Sequence, residues 1–84
     1  MKVTLKLYAM LTDYLPAEAR KSNALELELQ AGTTVAACIR DLNLPPKSCH
    51  LVLVDGVFVP PAERAGRSLA EGDTLAIWPP IAGG

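Results

Sequence analysis

Metal-ligating and nucleophilic side chains are scarce in this chain. Histidine occurs once, at His50, and cysteine twice, at Cys38 and Cys49. A zinc site takes about four ligands, so one imidazole and two distant thiols do not compose one. No metal is expected. The cysteines are too far apart for a Cys-x-x-Cys redox motif and too few for a disulfide scaffold, which leaves them as small buried residues. Cys49 and His50 are neighbours, but adjacent residues of an extended segment point to opposite faces, which argues against a thiolate–imidazole pair. Basic charge is not in excess either. Eight Lys and Arg stand against nine Asp and Glu, a net charge of −1, so there is no electrostatic case for nucleic acid. No run of like charges marks a disordered tail. Apolar runs fall far short of the ~20 residues that span a bilayer. The opening Met1-Lys2-Val3-Thr4-Leu5-Lys6 alternates apolar and polar residues and has no continuous apolar stretch of the signal-peptide kind. A cytoplasmic protein with no membrane or nucleic-acid partner is expected.

What is present is apolar patterning. The chain has 84 residues, of which 50% are hydrophobic, enough for one domain with one core. A domain this small buries only about 60–65% of its unfolded surface, leaving little room for a deep internal active site. Val3, Leu5 and Leu7 alternate with Thr4, Lys6 and Tyr8, the pattern of a half-buried strand over 3–8. Ala9 to Arg20 is irregular. Leu11, Tyr14 and Leu15 offer apolar contacts and Pro16 prevents a long helix, so a loop with one helical turn is expected. A second alternating run, 24–30, turns Leu25, Leu27 and Leu29 inward and Glu26 and Glu28 to water.

Gly32 breaks that strand, and Thr33 or Thr34 can cap a helix carrying Val35, Cys38, Ile39 and Leu42 at helical spacing. Asn43 and Pro45-Pro46 end it. Leu51 to Val54 is a third strand, Asp55-Gly56 a two-residue turn, and Val57 to Val59 the return. Pro60-Pro61 stops the pairing. Leu69 anchors a turn through Glu71-Gly72-Asp73, in which Asp73 bonds local amides, and Thr74 to Trp78 is the last strand. The order is hairpin, helix, hairpin, final strand. It implies an α+β fold: a mixed sheet of four to five strands with one main helix on one face, the β-grasp (ubiquitin-like) arrangement. The chain divides into a domain over 1–78 and a tail over 79–84.

The tail has an unusual taper. Trp78-Pro79-Pro80 is stiff and extended, because proline fixes φ and constrains the residue before it. Ile81 and Ala82 reduce the side chains, and Gly83 and Gly84 remove them. Such a thread, ending in the Gly84 carboxylate, suits a narrow channel in another protein. There the carboxylate can attack the α-phosphate of ATP to form an acyl-adenylate, and a sulfur nucleophile can displace AMP to leave a thiocarboxylate. Activation divides one hard step into easier ones. The partner supplies the catalytic groups, and nothing in this chain is expected to bind a cofactor.

Over essentially its whole length the sequence resembles the ubiquitin-like MoaD/ThiS family. The resemblance rests on the strand Val3-Thr4-Leu5-Lys6-Leu7-Tyr8-Ala9, the segment Leu69-Ala70-Glu71-Gly72-Asp73-Thr74-Leu75, and the end Trp78-Pro79-Pro80-Ile81-Ala82-Gly83-Gly84. The long connection between the first two strands and the Pro-Pro before the tail look most like the MoaD branch, the small subunit of molybdopterin synthase. That resemblance implies a non-catalytic sulfur carrier. A MoeB-type adenylyltransferase using ATP would activate it, and a MoaE-type large subunit would be its partner, with sulfur delivered to the molybdopterin of molybdenum cofactor. A ThiS-like carrier for thiamine thiazole synthesis is the alternative within the same chemistry. A ubiquitin-like modifier that joins Gly84 to a lysine is a second class. A β-grasp interaction module with an inert tail is a third, and deletion of Gly83-Gly84 would leave it unaffected.

Tyr8 and Trp78 share the outward parity of their strands. In a β-grasp fold those strands are parallel central neighbours, so the two rings should meet beside the tail. With Phe58 they would form an apolar docking patch for the activating enzyme and the large subunit; Trp78 favours docking, as an exposed Trp is a typical interface anchor, while Tyr8 could equally cover the sheet locally. Lys2, Lys6, Arg64 and Arg67 read as solvated surface charges.

Overall fold

The computed structural model describes residues 1–80. Its strands are β1 (Lys2–Leu7), β2 (Ala24–Glu28), β3 (Leu51–Val54), β4 (Val57–Phe58) and β5 (Thr74–Trp78), with one α-helix, α1 (Val35–Asp41). The sheet order is β2-β1-β5-β3-β4. β1 and β5 run parallel at the centre, with Leu5 beside Leu75 and Leu7 beside Ile77. The other neighbours are antiparallel. This is the β-grasp arrangement expected from the order of elements: a mixed five-stranded sheet with one main helix.

Alternation places the core. Val3, Leu5, Leu7, Val52, Val54, Leu75 and Ile77 project from the sheet face that packs with Val35, Cys38 and Ile39 of α1, and all are buried. Fully burying one such aliphatic side chain stabilises the fold by about 1.5–3 kcal/mol. Leu25, Leu27 and Leu29 pack against this core but are only half-buried. They lie on and just beyond β2, the edge strand, and are covered from one side only.

The first connection departs from expectation. It holds two short three-ten turns, Ala9–Tyr14 and Ala17–Ala19, in place of one helical turn. Leu11 and Leu15 are buried, but Tyr14 is exposed, because Leu11 and Leu15 already fill the inward positions of this segment.

The helix is short, and its ends are fully provisioned. At the N-terminus the Ala37 amide donates to Thr34 Oγ1 at 3.1 Å. Thr34 is therefore the cap, while the Thr33 hydroxyl donates to the Gln30 carbonyl. The Val35 and Ala36 amides donate to the Arg67 and Arg64 carbonyls at 2.9 Å. These bonds satisfy donors that a helix leaves without intrahelical partners. At the C-terminus Asn43 adopts φ 60°, the Asn43 amide donates to the Arg40 carbonyl, and the Leu44 amide donates to the Ile39 carbonyl. That is a Schellman closure. Asp55 (φ 50°) and Gly56 (φ 84°) form the two-residue turn that joins β3 to β4.

The segment from Leu69 to Leu75 braces β1. The Gly72 amide donates to the Lys2 carbonyl at 2.8 Å, and the Thr4 amide donates to the Asp73 carbonyl at 2.9 Å. Asp73 Oδ2 accepts from the Ala70 amide at 2.8 Å, the turn-closing role expected of it. Leu69 and Leu75 are buried at either end.

Candidate functional site

Trp78 is the last residue of β5, so the root of the tail sits at the centre of the sheet rather than at an edge. On one side the Tyr8 amide donates to the Ile77 carbonyl at 3.2 Å. On the other the His50 amide donates to the Trp78 carbonyl at 3.0 Å. Pro79 and Pro80 follow, and neither has an N–H with which to continue a ladder. Ile81, Ala82, Gly83 and Gly84, the expected thread, lie outside the described residues.

The rings of Tyr8 and Trp78 stack, with centroids 4.2 Å apart and planes 2° apart. The cause is register. Leu7 is level with Ile77 in the parallel pair, so the next residue on each chain presents its side chain on the helix-free face at the same height. Trp78 is also opposite Leu51 on β3, giving a row of Tyr8, Trp78 and Leu51 across three strands. A second row runs from Lys6 through Ala76 and Leu53 to Phe58. Phe58 is half exposed. It shares the face with Tyr8 and Trp78 but is two strands away from Trp78, on the order of 10 Å at the usual strand spacing. The face is continuous because Leu51, Leu53 and Ala76 fill the interval. Leu51 and Leu53 did not stand out in the sequence, whereas Ala76 shares the strand parity of Trp78. Leu51-Val52-Leu53-Val54 reads as one apolar run, and only the burial of Val52 and Val54 assigns Leu51 and Leu53 to the outer face.

Elsewhere the titratable groups are structural. Both cysteines are free and buried. Burial, helped by the nearby Asp41 charge, pushes the Cys38 thiol up to about 11. Burial also raises Cys49, against the lowering influence of Arg64. Cys49 Sγ donates a long 3.5 Å bond to the Pro45 carbonyl. Neither thiol has the lowered pKa of a nucleophile. Arg64, expected as a surface charge, is only 8% exposed. Its guanidinium donates to the carbonyls of Cys49 (2.8 Å), His50 (3.2 Å) and Val59 (3.2 Å). Three carbonyls, two from the consecutive Cys49 and His50 and one from Val59, outweigh the loss of hydration, a juxtaposition with no local sequence signal. Burial lowers its pKa. Among the described residues no three His, Cys, Asp or Glu side chains gather as a metal site, and no helix is long and apolar enough to cross a membrane.

A family model for the ThiS family matches residues 14–84. The chain belongs to the ThiS family. It therefore has the ubiquitin-like fold of a family of sulfur carriers, whose members work with adenylyltransferase-type activating enzymes. No curated protein matches the chain. Among solved structures, SAMP1 from Haloferax volcanii is similar over all of both chains, with 24% identity and a TM-score of 0.68. The Haloferax volcanii HVO 2177 protein is similar over all of this chain and 87% of its own, with 21% identity and a TM-score of 0.77. A further crystal structure, of H. volcanii small archaeal modifier protein 1, matches 95% of this chain and 98% of that one, with 23% identity and a TM-score of 0.64. At these identities the likeness is one of fold.

Proposed function

We propose that this member of the family is a sulfur carrier whose Gly84 carboxylate is adenylated and then converted to a thiocarboxylate, and that it serves as the small subunit of a molybdopterin synthase. The observation that carries the reading is that the family match extends through Gly83-Gly84, on a tail rooted at the sheet centre beside a stacked aromatic pair. A MoeB-type adenylyltransferase holds ATP, and the tail enters its cleft. The Gly84 carboxylate oxygen attacks the α-phosphorus and pyrophosphate leaves. A sulfur nucleophile then attacks the acyl carbon and AMP leaves. A MoaE-type large subunit receives the thiocarboxylate. Pro79, Pro80, Ile81, Ala82 and Gly83 occupy the partner's channel, and Tyr8, Trp78 and Phe58 dock on the partner. No cofactor resides in the chain itself, and the setting is the cytoplasm.

The test incubates the chain with ATP, a MoeB-type enzyme and a sulfur donor and measures intact mass. An oxygen-to-sulfur gain is expected, and it should disappear when Gly83-Gly84 is deleted. Co-purification with a MoaE-type subunit separates the molybdopterin pathway from ThiS-like thiazole synthesis. A second reading, a modifier joined to lysine through Gly84, is favoured by the likeness to the structures of SAMP1 and small archaeal modifier protein 1. Immunoblots under sulfur starvation distinguish it: a modifier gives ladders of conjugates and no thiocarboxylate.

A further inference from the structure

The far side of the tail root carries an open groove of about 690 Å³. It lies between the C-terminal half of α1, the segment Leu44–His50, and the turn around Arg64. Its apolar lining is Pro46 and Ala65, both exposed, with the largely buried Ile39 and Leu44. Its charged lining is of one sign: Arg40 and Lys47 are exposed at the rim and Arg64 is buried beneath. No carboxylate lines it among the described residues. Asp41 meets Arg40 at 3.4 Å outside the lining, with both side chains largely in water, where such a pair holds weakly. Arg64 has only carbonyl partners among the described residues. A buried cation without a counter-ion, next to aliphatic wall, is matched by a ligand that sets a carboxylate against an apolar side chain.

We propose that this groove docks a short acidic peptide segment of a partner protein, with an aliphatic side chain against the Ile39, Leu44, Pro46 and Ala65 lining and flanking carboxylates over Arg40 and Lys47, above the buried Arg64. A small inorganic anion would leave the apolar wall uncovered, which favours a peptide. The volume accommodates a few side chains and falls within the usual range for ligand sites. The groove also adjoins the tail: His50, one of its lining residues, is the residue whose amide holds the Trp78 carbonyl. A partner engaged at Trp78 would therefore present its acidic segment at high effective concentration. The proposal stands independently of thiocarboxylate chemistry.

The test titrates the ¹⁵N-labelled full chain with a set of capped peptides that carry two leucines flanked by glutamates, and with matched peptides carrying glutamine. Saturable amide shifts are expected at Ile39, Leu44, Lys47, His50 and Ala65. Glutamine peptides should bind at least about fivefold more weakly. Arg40→Glu and Lys47→Glu, both at exposed positions, should each weaken binding comparably without altering the melting curve, and added salt should weaken it further. Equal binding of the glutamine peptides, shifts centred on Tyr8, Leu51 and Trp78, or no saturable binding across the set would each overturn the proposal. So would tighter peptide binding by a chain ended at Pro80, which would make the tail itself the occupant. A concentration-dependent dimer abolished by Lys47→Glu would assign the groove to a second copy and overturn it as well.

Discussion

The indole of Trp78 lies parallel to the phenol ring of Tyr8, their centroids 4.2 Å apart, on the sheet face that α1 does not cover. The stack contributes about 0.5–1.5 kcal/mol beyond area burial and fixes the ring at the base of the tail. Trp78→Ala should therefore keep the fold of the parent and melt several degrees lower, yet bind the activating enzyme about tenfold more weakly or worse, as a central aromatic anchor does. Tyr8→Phe should behave like the parent, and Tyr8→Ala should fall between. Calorimetry with the purified partner reads the affinity; unchanged affinity in Trp78→Ala would move the docking surface elsewhere.

Arg64 should matter to stability far more than its charge suggests. Arg64→Met removes the donors to Cys49, His50 and Val59 and leaves buried carbonyls without partners. The expected loss is about 2–4 kcal/mol in urea unfolding. Arg64→Lys, with one ammonium where three carbonyls converge, should recover only part of it.

Gly72 sits at φ 83°, and a Cβ built there meets nothing within 4 Å. The cost of Gly72→Ala is therefore one of backbone conformation alone, about 1–2 kcal/mol. Because the Gly72 amide holds the Lys2 carbonyl, amide exchange should rise first at the start of β1. A loss well above that range would indicate a crowded site.

Cys38 makes the fold sensitive to alkali. Its thiol moves from 9.0 to about 11 because burial, and then the Asp41 charge, disfavour the thiolate. The folded chain thus holds this proton more tightly than the unfolded chain. Its contribution is present in full below about pH 9 and is lost as the pH rises through about 11. Two units correspond to about 2–3 kcal/mol. Cys38→Val should flatten that part of the stability profile, measured as the difference between the two proteins' urea midpoints from pH 8 to 11. A parallel decline in both would assign the effect to other groups.

Much of the architecture was legible because its signals are local. Period-two alternation located β1, β2 and β5, and Gly32 and Asp55-Gly56 marked the breaks. Thr34 was one of two candidate caps, and the choice needed the chain path, since Thr33 turned its hydroxyl to Gln30 instead. The proximity of Tyr8 and Trp78 followed from strand parity plus the fold class; that the rings lie face to face did not. Arg64 was misread because the three carbonyls that bury it come from Cys49, His50 and Val59, residues 5 to 15 positions away that only the folded loops bring together. Leu51 and Leu53 were hidden within an apolar run, where period alone cannot say which side chain faces out.

The chain's own pattern determined the element types, the single core and the tapering Gly-Gly end, since each depends on neighbours within a few residues. Tertiary structure alone decided that Leu51 and Leu53 join the outer aromatic rings into one face, that Arg64 is buried, and that a cationic groove lies behind the tail root. Those depend on strand order and loop packing, which bring together residues that the sequence keeps apart.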